Sequence, residues 1–315
     1  MKTILICGAT GFIGRNIAEY YAQNDDYDVV GVFNHRPPFS HPRIRWLQAN
    51  LTNPLEAAAV MVGVNILVQA AATTSGVKDI FSKPQTHVTD NAVMNSYLFR
   101  LAYENRVEHV IFFSCTIMLA SNTQAQTEED FDANAEIHPR YFGAGWTKFY
   151  LEKMCEFYAS LGSTKFTAIR HSNVYGPHDK FDLETSHVCG ATITKVMRAS
   201  GSVTIWGSGE ETRDLLYVQD LVCMVNCVID KQAMNFAIYN CGGTASVSIT
   251  ELVNMVIYES RKSLILKYDL TKPTILNHLL LDCSKAKNEL GWTPQFSLSQ
   301  GIRKTVKWWQ VNIIE

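Results

Sequence analysis

Thr3-Ile4-Leu5-Ile6-Cys7-Gly8-Ala9-Thr10-Gly11-Phe12-Ile13-Gly14 is the stretch that decides the fold. A short, mostly apolar run predicts a buried strand. Gly8, Gly11 and Gly14 then stand at G-x-x-G-x-x-G spacing, and a helical pattern follows over 12–23. A strand that turns into a helix this way lets the backbone approach a pyrophosphate and aims the free amides of the helix N-terminus at it. Glycines alone would be weak evidence, because many strand-to-helix turns carry them. The strand before and the helix after make this turn a dinucleotide seat, with Gly8, Thr10, Gly11, Phe12, Ile13 and Gly14 as its contacts.

Working outward, further apolar runs at 29–33, 66–70, 110–114 and 167–170 alternate with helical patterns near 54–62, 85–105 and 145–161. Strands that are apolar along their whole length, separated by helices, indicate a parallel sheet covered on both faces. The expectation is an α/β fold, a Rossmann-type doubly wound sheet. After Asn173-Val174-Tyr175-Gly176-Pro177 the pattern loosens into a smaller mixed C-terminal substrate lobe, from which Ile238-Tyr239-Asn240 returns to the sheet. The division reads 1–172 plus about 236–242 for the dinucleotide-binding domain, and 173–235 with 243–315 for the lobe.

Composition bounds the function. The chain has 315 residues, 47% hydrophobic and 18% charged, with net charge −2. That is enough for a sizeable core, and the near-neutral balance gives no electrostatic case for nucleic acid or an anionic membrane. The apolar start breaks at a glycine turn and reads as a strand, not a secretory leader, and no run reaches the roughly 18 residues of a membrane helix. Eight cysteines sit mostly in apolar runs. Cys223 and Cys227 share a helix face, but no partner pair follows at zinc spacing, so we expect no metal and reduced thiols in the cytoplasm. The Trp308-Trp309 pair reads as packing.

The second strand ends Phe33-Asn34-His35-Arg36, where a carboxylate for the adenine ribose is usual. Asn34 cannot supply one. Arg36 fits the 2′-phosphate of NADP, and equally a solvated arginine before Pro37-Pro38. The cofactor is therefore NAD or NADP, with Arg36 leaning toward NADP. Ala70, Ala71 and Ala72 after the fourth strand give small side chains where the cofactor passes close.

Ala70-Ala71-Ala72, Asn91, Arg170-His171-Ser172-Asn173-Val174-Tyr175-Gly176-Pro177, Arg213-Asp214-Leu215-Leu216-Tyr217-Val218-Gln219-Asp220 and the run 282–294 span almost the whole chain. Together they resemble the landmarks of extended short-chain dehydrogenases/reductases, the NAD-dependent epimerase/dehydratase family. Tyr175-Gly176-Pro177-His178-Asp179-Lys180-Phe181, Ser186-His187-Val188 and Trp206-Gly207-Ser208-Gly209 are most similar to its GDP-fucose synthase-like, GDP-sugar branch. The resemblance implies that Asn50, Leu51, His171 and Val174 join the cofactor contacts. It also implies that Asn173, His187, Lys195, Trp206 and Arg213 contact a GDP-linked sugar. Lys195 and Arg213 suit its doubly anionic pyrophosphate.

In this family a tyrosine four residues before a lysine exchanges the hydroxyl proton while hydride moves between nicotinamide and a sugar carbon. The lysine ammonium and the nicotinamide charge lower the phenol from its ordinary pKa near 10. Lys148 is the expected lysine, and it grips the nicotinamide ribose. Ser114 and Thr116, after the fifth strand, are the helper hydroxyls. The tyrosine position holds Ala144, which cannot exchange a proton. Three explanations stay open: a deliberate substitution, a natural enzyme with another acid/base, or a protein that binds cofactor and sugar without turnover. Tyr141 is the nearest phenol, about two turns before Lys148.

Two absences narrow the chemistry. Cys115 and Thr116 stand where family dehydratases carry a glutamate, so dehydration is not expected. His187 matches one acid/base of GDP-fucose synthase, but its cysteine partner is Thr116 here, a far weaker acid than a thiol near 8.5. Cys115 lies one residue off, which on a strand faces the other way. The expected activity is oxidation or reduction at C4 of a nucleotide-linked, GDP-linked hexose or heptose, with Tyr141 or a water relay to His187 moving the proton. A 4-epimerase and a disabled binding protein are the alternatives. The family often dimerises through the helices at 85–105 and 145–161, which implies a homo-oligomer.

Overall fold

A computed structural model describes residues 1–73, 84–272 and 278–313. Strands β1 (Lys2–Cys7), β2 (Tyr27–Phe33), β3 (Ile44–Gln48), β4 (Ile66–Gln69), β5 (His109–Phe113) and β6 (Lys165–His171) lie side by side. After β7 (Asn173–Tyr175), β8 (Ser202–Trp206) and β9 (Thr212–Tyr217), the chain returns as β10 (Phe236–Cys241) to complete a seven-stranded sheet. Its order is β10-β6-β5-β4-β1-β2-β3, and every pairing is parallel. The order reverses between β1 and β4, so the crevice beyond their C-terminal ends is where such a sheet receives a ligand.

Side chains alternate between the two faces along β1 as the pleat requires. Ile4 and Ile6 enter one core with Ile17 of the helix Phe12–Tyr21 and Leu221 of the helix Val218–Lys231. Leu5 and Cys7 enter the other, with Leu98 and Phe99 of the helix Thr89–Glu104 and Leu151 of the helix Phe142–Leu161. Both faces are covered, which is why these strands read as unbroken apolar runs.

The sequence pattern passed over β3. Its segment Ile44-Arg45-Trp46-Leu47-Gln48 is an edge strand with Arg45 and Gln48 exposed, so it lacks the apolar run of its neighbours. The helix expected from 145 begins at Phe142. Glycines at 143 and 145 each cost about 1 kcal/mol of helix propensity, but they let the first turn pack tightly. A Cβ at 143 would lie 2.8 Å from Val88 Cγ2, and one at 145 would lie 3.2 Å from Ile137 Cδ1.

The C-terminal elements are smaller. β11 (Ser246–Ser248), β9 and β7 form one short sheet, and β12 (Ile265–Asp269) pairs with β8 in another. Trp309 is buried in the core, while Trp308 stacks on Phe181 at 5.6 Å. All eight cysteines are free thiols. Among the described residues no helix is long and apolar enough to cross a membrane, and no group of three potential ligands could hold a metal.

Candidate active site

The glycine turn is built for close approach. Gly8 has φ +72°, and a Cβ there would sit 2.7 Å from the Ala71 Cα across the crevice. A Cβ at Gly14 would lie 2.3 Å from the Gly8 carbonyl oxygen. Gly11 caps the helix Phe12–Tyr21 without any side-chain hydrogen bond, and no acidic residue stands in its first turn. The helix end therefore presents free amides and a partial positive charge of about half a unit. This cradle fits the pyrophosphate of a dinucleotide.

The opposite wall is pinned from beneath. The Gln69 amide donates to Asn95 at 3.0 Å and to the Ala71 carbonyl at 3.2 Å. Asn91 accepts from the Thr73 amide and donates back to its carbonyl, both at 3.0 Å. Asn91 and Asn95 thus hold 70–73 in place from the helix Thr89–Glu104. The signal in sequence was a polar Gln69 closing an apolar strand.

At the far end of the seat, Arg36 is exposed and its Nη1 donates to the Thr10 carbonyl at 3.1 Å. Asn34 is exposed, and its carbonyl accepts from Gln48. Asn50 closes a local turn by accepting from Thr52, and Leu51 is buried behind it. Gly14→Ala is expected to force the turn open at a cost of about 1–3 kcal/mol and to remove saturable NAD(P)H fluorescence. Wild-type melting together with wild-type binding would show that the turn is not needed.

The residues expected to be catalytic gather near the ends of β5 and β6. Lys148, in the second turn of the helix Phe142–Leu161, reaches across to donate to the Phe113 carbonyl at 2.6 Å. Burial lowers its pKa, while Cys115 and Glu152 oppose that shift. Ser114 is buried, and its hydroxyl donates to Glu152 Oε1 at 2.6 Å. Glu152 in turn binds Arg170 through two bonds of 3.0 and 2.8 Å. Thr116, two residues on, is half-buried in the loop after β5.

His171 lies beside this edge, its ring 6.1 Å from Phe113. Its Nδ1 is 2.8 Å from the Ser172 carbonyl, so that nitrogen carries the proton and Nε2 is left as an acceptor. Burial brings its pKa down to about 4 despite that bond, helped by the charges of Lys148 and His187. The ring is neutral near pH 7. Val174, next along β7, is buried.

Ala144 is half-buried in the first turn of its helix. Tyr141 occupies the N-cap position of the same helix, its ring 5.7 Å from that of His138. Arg213 approaches from β9: burial lowers its pKa, and the nearby charges of Glu211 and of the Tyr141 phenol raise it again.

The lobe supplies the remaining residues. His187 is exposed at the N-cap of the helix Val188–Arg198, which also carries Lys195. The Lys195 ammonium sits 4.7 Å from the centre of the exposed Trp206 ring, and that of Lys272 sits 5.8 Å from it. Lys272 was invisible to sequence reading, since nothing beside it forms a motif. Asn173 donates to the Asp214 carbonyl at 3.1 Å. Asp214 itself is structural, accepting from the Gly243 and Leu281 amides. Asp220 likewise accepts from Gln295 and Phe296.

With this geometry in view, the comparison with known proteins is direct. The profile of the NAD dependent epimerase/dehydratase family matches residues 4–242. The chain belongs to that family. The family is described as NAD dependent, and the glycine cradle fits such a dinucleotide. Among its relatives, GDP-L-colitose synthase of Yersinia pseudotuberculosis is 26% identical, with 97% of each chain covered. GDP-L-fucose synthase of Sinorhizobium fredii is 24% identical over 100% of this chain and 97% of that one. The UDP-glucose 4-epimerase of Thermotoga maritima, solved with UDP-glucose, has the same fold. Its TM-score is 0.85 at 22% identity, covering 99% of this chain and 100% of that one.

Proposed function

We propose that this member of the epimerase/dehydratase family is an NAD(P)-dependent oxidoreductase acting at C4 of a GDP-linked hexose or heptose. The reading rests on Lys148, anchored on the Phe113 carbonyl at the end of β5, together with the glycine cradle at the end of β1. The two GDP-sugar synthases among its relatives support the nucleotide.

Residues 1–172 with 236–242 hold the cofactor, through Gly8, Thr10, Gly11, Phe12, Ile13, Gly14, Asn34, Arg36, Asn50, Leu51, Ala70, Ala71, Ala72, Lys148 and His171, joined by Val174 from just beyond the boundary. A bound nicotinamide supplies the hydride acceptor or donor. Lys148 binds its ribose, and the neutral His171 ring adds no positive charge beside it. The rest of the chain binds the sugar, with Asn173, His187, Lys195, Trp206 and Arg213 along the nucleotide and sugar. Ser114 and Thr116 hydrogen-bond the reacting hydroxyl, and the Ser114 proton is directed to Glu152.

Oxidation at C4 releases a hydroxyl proton, which Ala144 cannot take. Tyr141, the nearest phenol along the chain, takes it, or a water relay to His187 does. The eight free thiols suit a reducing cytoplasm. Phe142, Tyr150 and Phe157, each about half exposed on one long helix, suit burial against a second copy.

The test is NAD(P)H absorbance on mixing enzyme with GDP-hexoses, together with mass spectrometry of what co-purifies. A sugar-dependent change with a 4-keto product supports the reading, and a C4 epimer without net redox would make the chain a 4-epimerase. Cofactor and sugar binding without turnover would make it a binding protein. No response to any GDP-sugar overturns the proposal.

A further inference from the structure

The helix Val218–Lys231 carries two cysteines one turn apart, Cys223 and Cys227. Leu221, Val222, Met224, Val225 and Val228 turn one side of it into the core. Cys223, Asn226, Cys227 and Asp230 follow one another at steps of three and one along the rim of that buried side, which places the two sulfurs on one stripe. Both thiols are half-buried there, and they share a hydrogen bond. The helix Phe12–Tyr21 packs alongside, and its Tyr20 phenol lies within electrostatic reach of both sulfurs and of Asp230.

Two thiols this close can be joined by oxidation or by a metal ion, and the helix decides between them. Residues four apart on a helix keep their Cβ atoms about 5–6 Å apart, whereas a disulfide draws them to about 3.5–4.5 Å. A direct bond would therefore distort a helix whose other side is packed into the core. A metal ion replaces one S–S bond of about 2 Å by two metal–sulfur bonds of about 2.3 Å. It spans the gap with the helix unchanged. Among the described residues no third thiol, imidazole or carboxylate completes a group of ligands. Zinc, which takes four, is poorly served. Thiolate sulfur selects monovalent copper, for which two sulfurs suffice, so the absence of zinc spacing after this pair is no obstacle.

We infer that Cys223 and Cys227 form a two-coordinate site for a soft thiophilic cation, Cu(I). Binding is an exchange without redox. Each thiol gives up its proton to solvent, two sulfur–copper bonds form, and the product is a bis-thiolate with one negative charge. Burial raises the pKa of Cys223, and Cys227 raises it further through its charge and its hydrogen bond. Lys231, on the same helix, opposes that shift, and its ammonium favours the anionic complex. Because protons must leave as the ion enters, affinity rises with pH.

The experiment offers the reduced protein Cu(I) held by a chromogenic chelator, under argon and near neutral pH. Wild type is expected to withdraw one equivalent. Cys223→Ser and Cys227→Ser should each weaken that uptake by about 10²-fold, because a chelating pair loses its second donor. Cys283→Ser, which removes another half-buried thiol, should leave it unchanged. Melting of the variants reports their fold. A second measurement needs no variant: wild type is alkylated at raised pH with and without one equivalent of Cu(I), then digested for mass spectrometry. The ion should shield Cys223 and Cys227 together. No uptake by wild type, uptake that both serine variants at 223 and 227 retain, or shielding confined to other cysteines overturns the site. None of these outcomes bears on the nicotinamide reading, which turnover judges separately.

Discussion

Tyr141→Phe is expected to lower kcat for C4 oxidation by about 10²–10⁴-fold, the usual contribution of a positioned acid/base, with KM for the sugar changed little. The substitution removes one oxygen from a residue that sits before the first turn of its helix and is held there by backbone. The Tyr141 amide donates to the His138 carbonyl at 2.7 Å, a bond that phenylalanine keeps. Ring packing against His138 is also kept. Only the phenol is lost, so a fall in kcat alone reports proton transfer and not binding.

The same argument sets the control. Ala144→Tyr in the Tyr141→Phe background returns a phenol one helical turn from Lys148, where the ammonium favours its ionised form. Turnover should recover. Full activity in Tyr141→Phe would move the proton to a water relay ending at His187, and His187→Asn would then carry the loss. Steady-state kinetics with NAD(P)H absorbance separates these outcomes.

The sheet and its cofactor edge were legible because one physical fact, burial on both faces, writes itself into consecutive residues. β1, β4 and β5 show it as unbroken apolar runs, and β3 does not because an edge strand has one wet side. The glycine turn was legible because steric contact at 2.3 Å leaves no choice of residue at Gly14. What stayed hidden depends on direction and distance in space. The partner of the Ser114 hydroxyl is one case: it donates to Glu152, 38 residues along the chain. Strand parity fixes which face a residue takes, and a loop that begins at residue 114 does not declare its parity in sequence. Lys272 was hidden for a related reason: isolated cations are usually solvated, and only the Trp206 ring gives this one a place.

Arg170→Met is expected to cost about 3–5 kcal/mol, the penalty for stranding one member of a buried ion pair. Arg170 and Glu152 have side chains only 3% and 1% exposed, so water cannot replace the lost partner. Three groups would lose a bond at once. Both Glu152 oxygens give up a guanidinium donor, and the Glu128 carbonyl, 2.8 Å from Arg170 Nη1, loses its donor too. Only the Ser114 hydroxyl would still serve the carboxylate. The pair itself is worth much less than this figure, because forming it required two charges to leave water. Arg170→Met with Glu152→Leu should therefore recover at least half of the loss in urea unfolding. An equal loss in single and double variants would place the energy in shape and not in charge. The pair joins β6 to the helix that carries Lys148 one turn earlier, and through Ser114 it joins the end of β5. Even in the double variant, then, the seat of Lys148 should be looser, and nicotinamide binding should weaken while stability is largely restored.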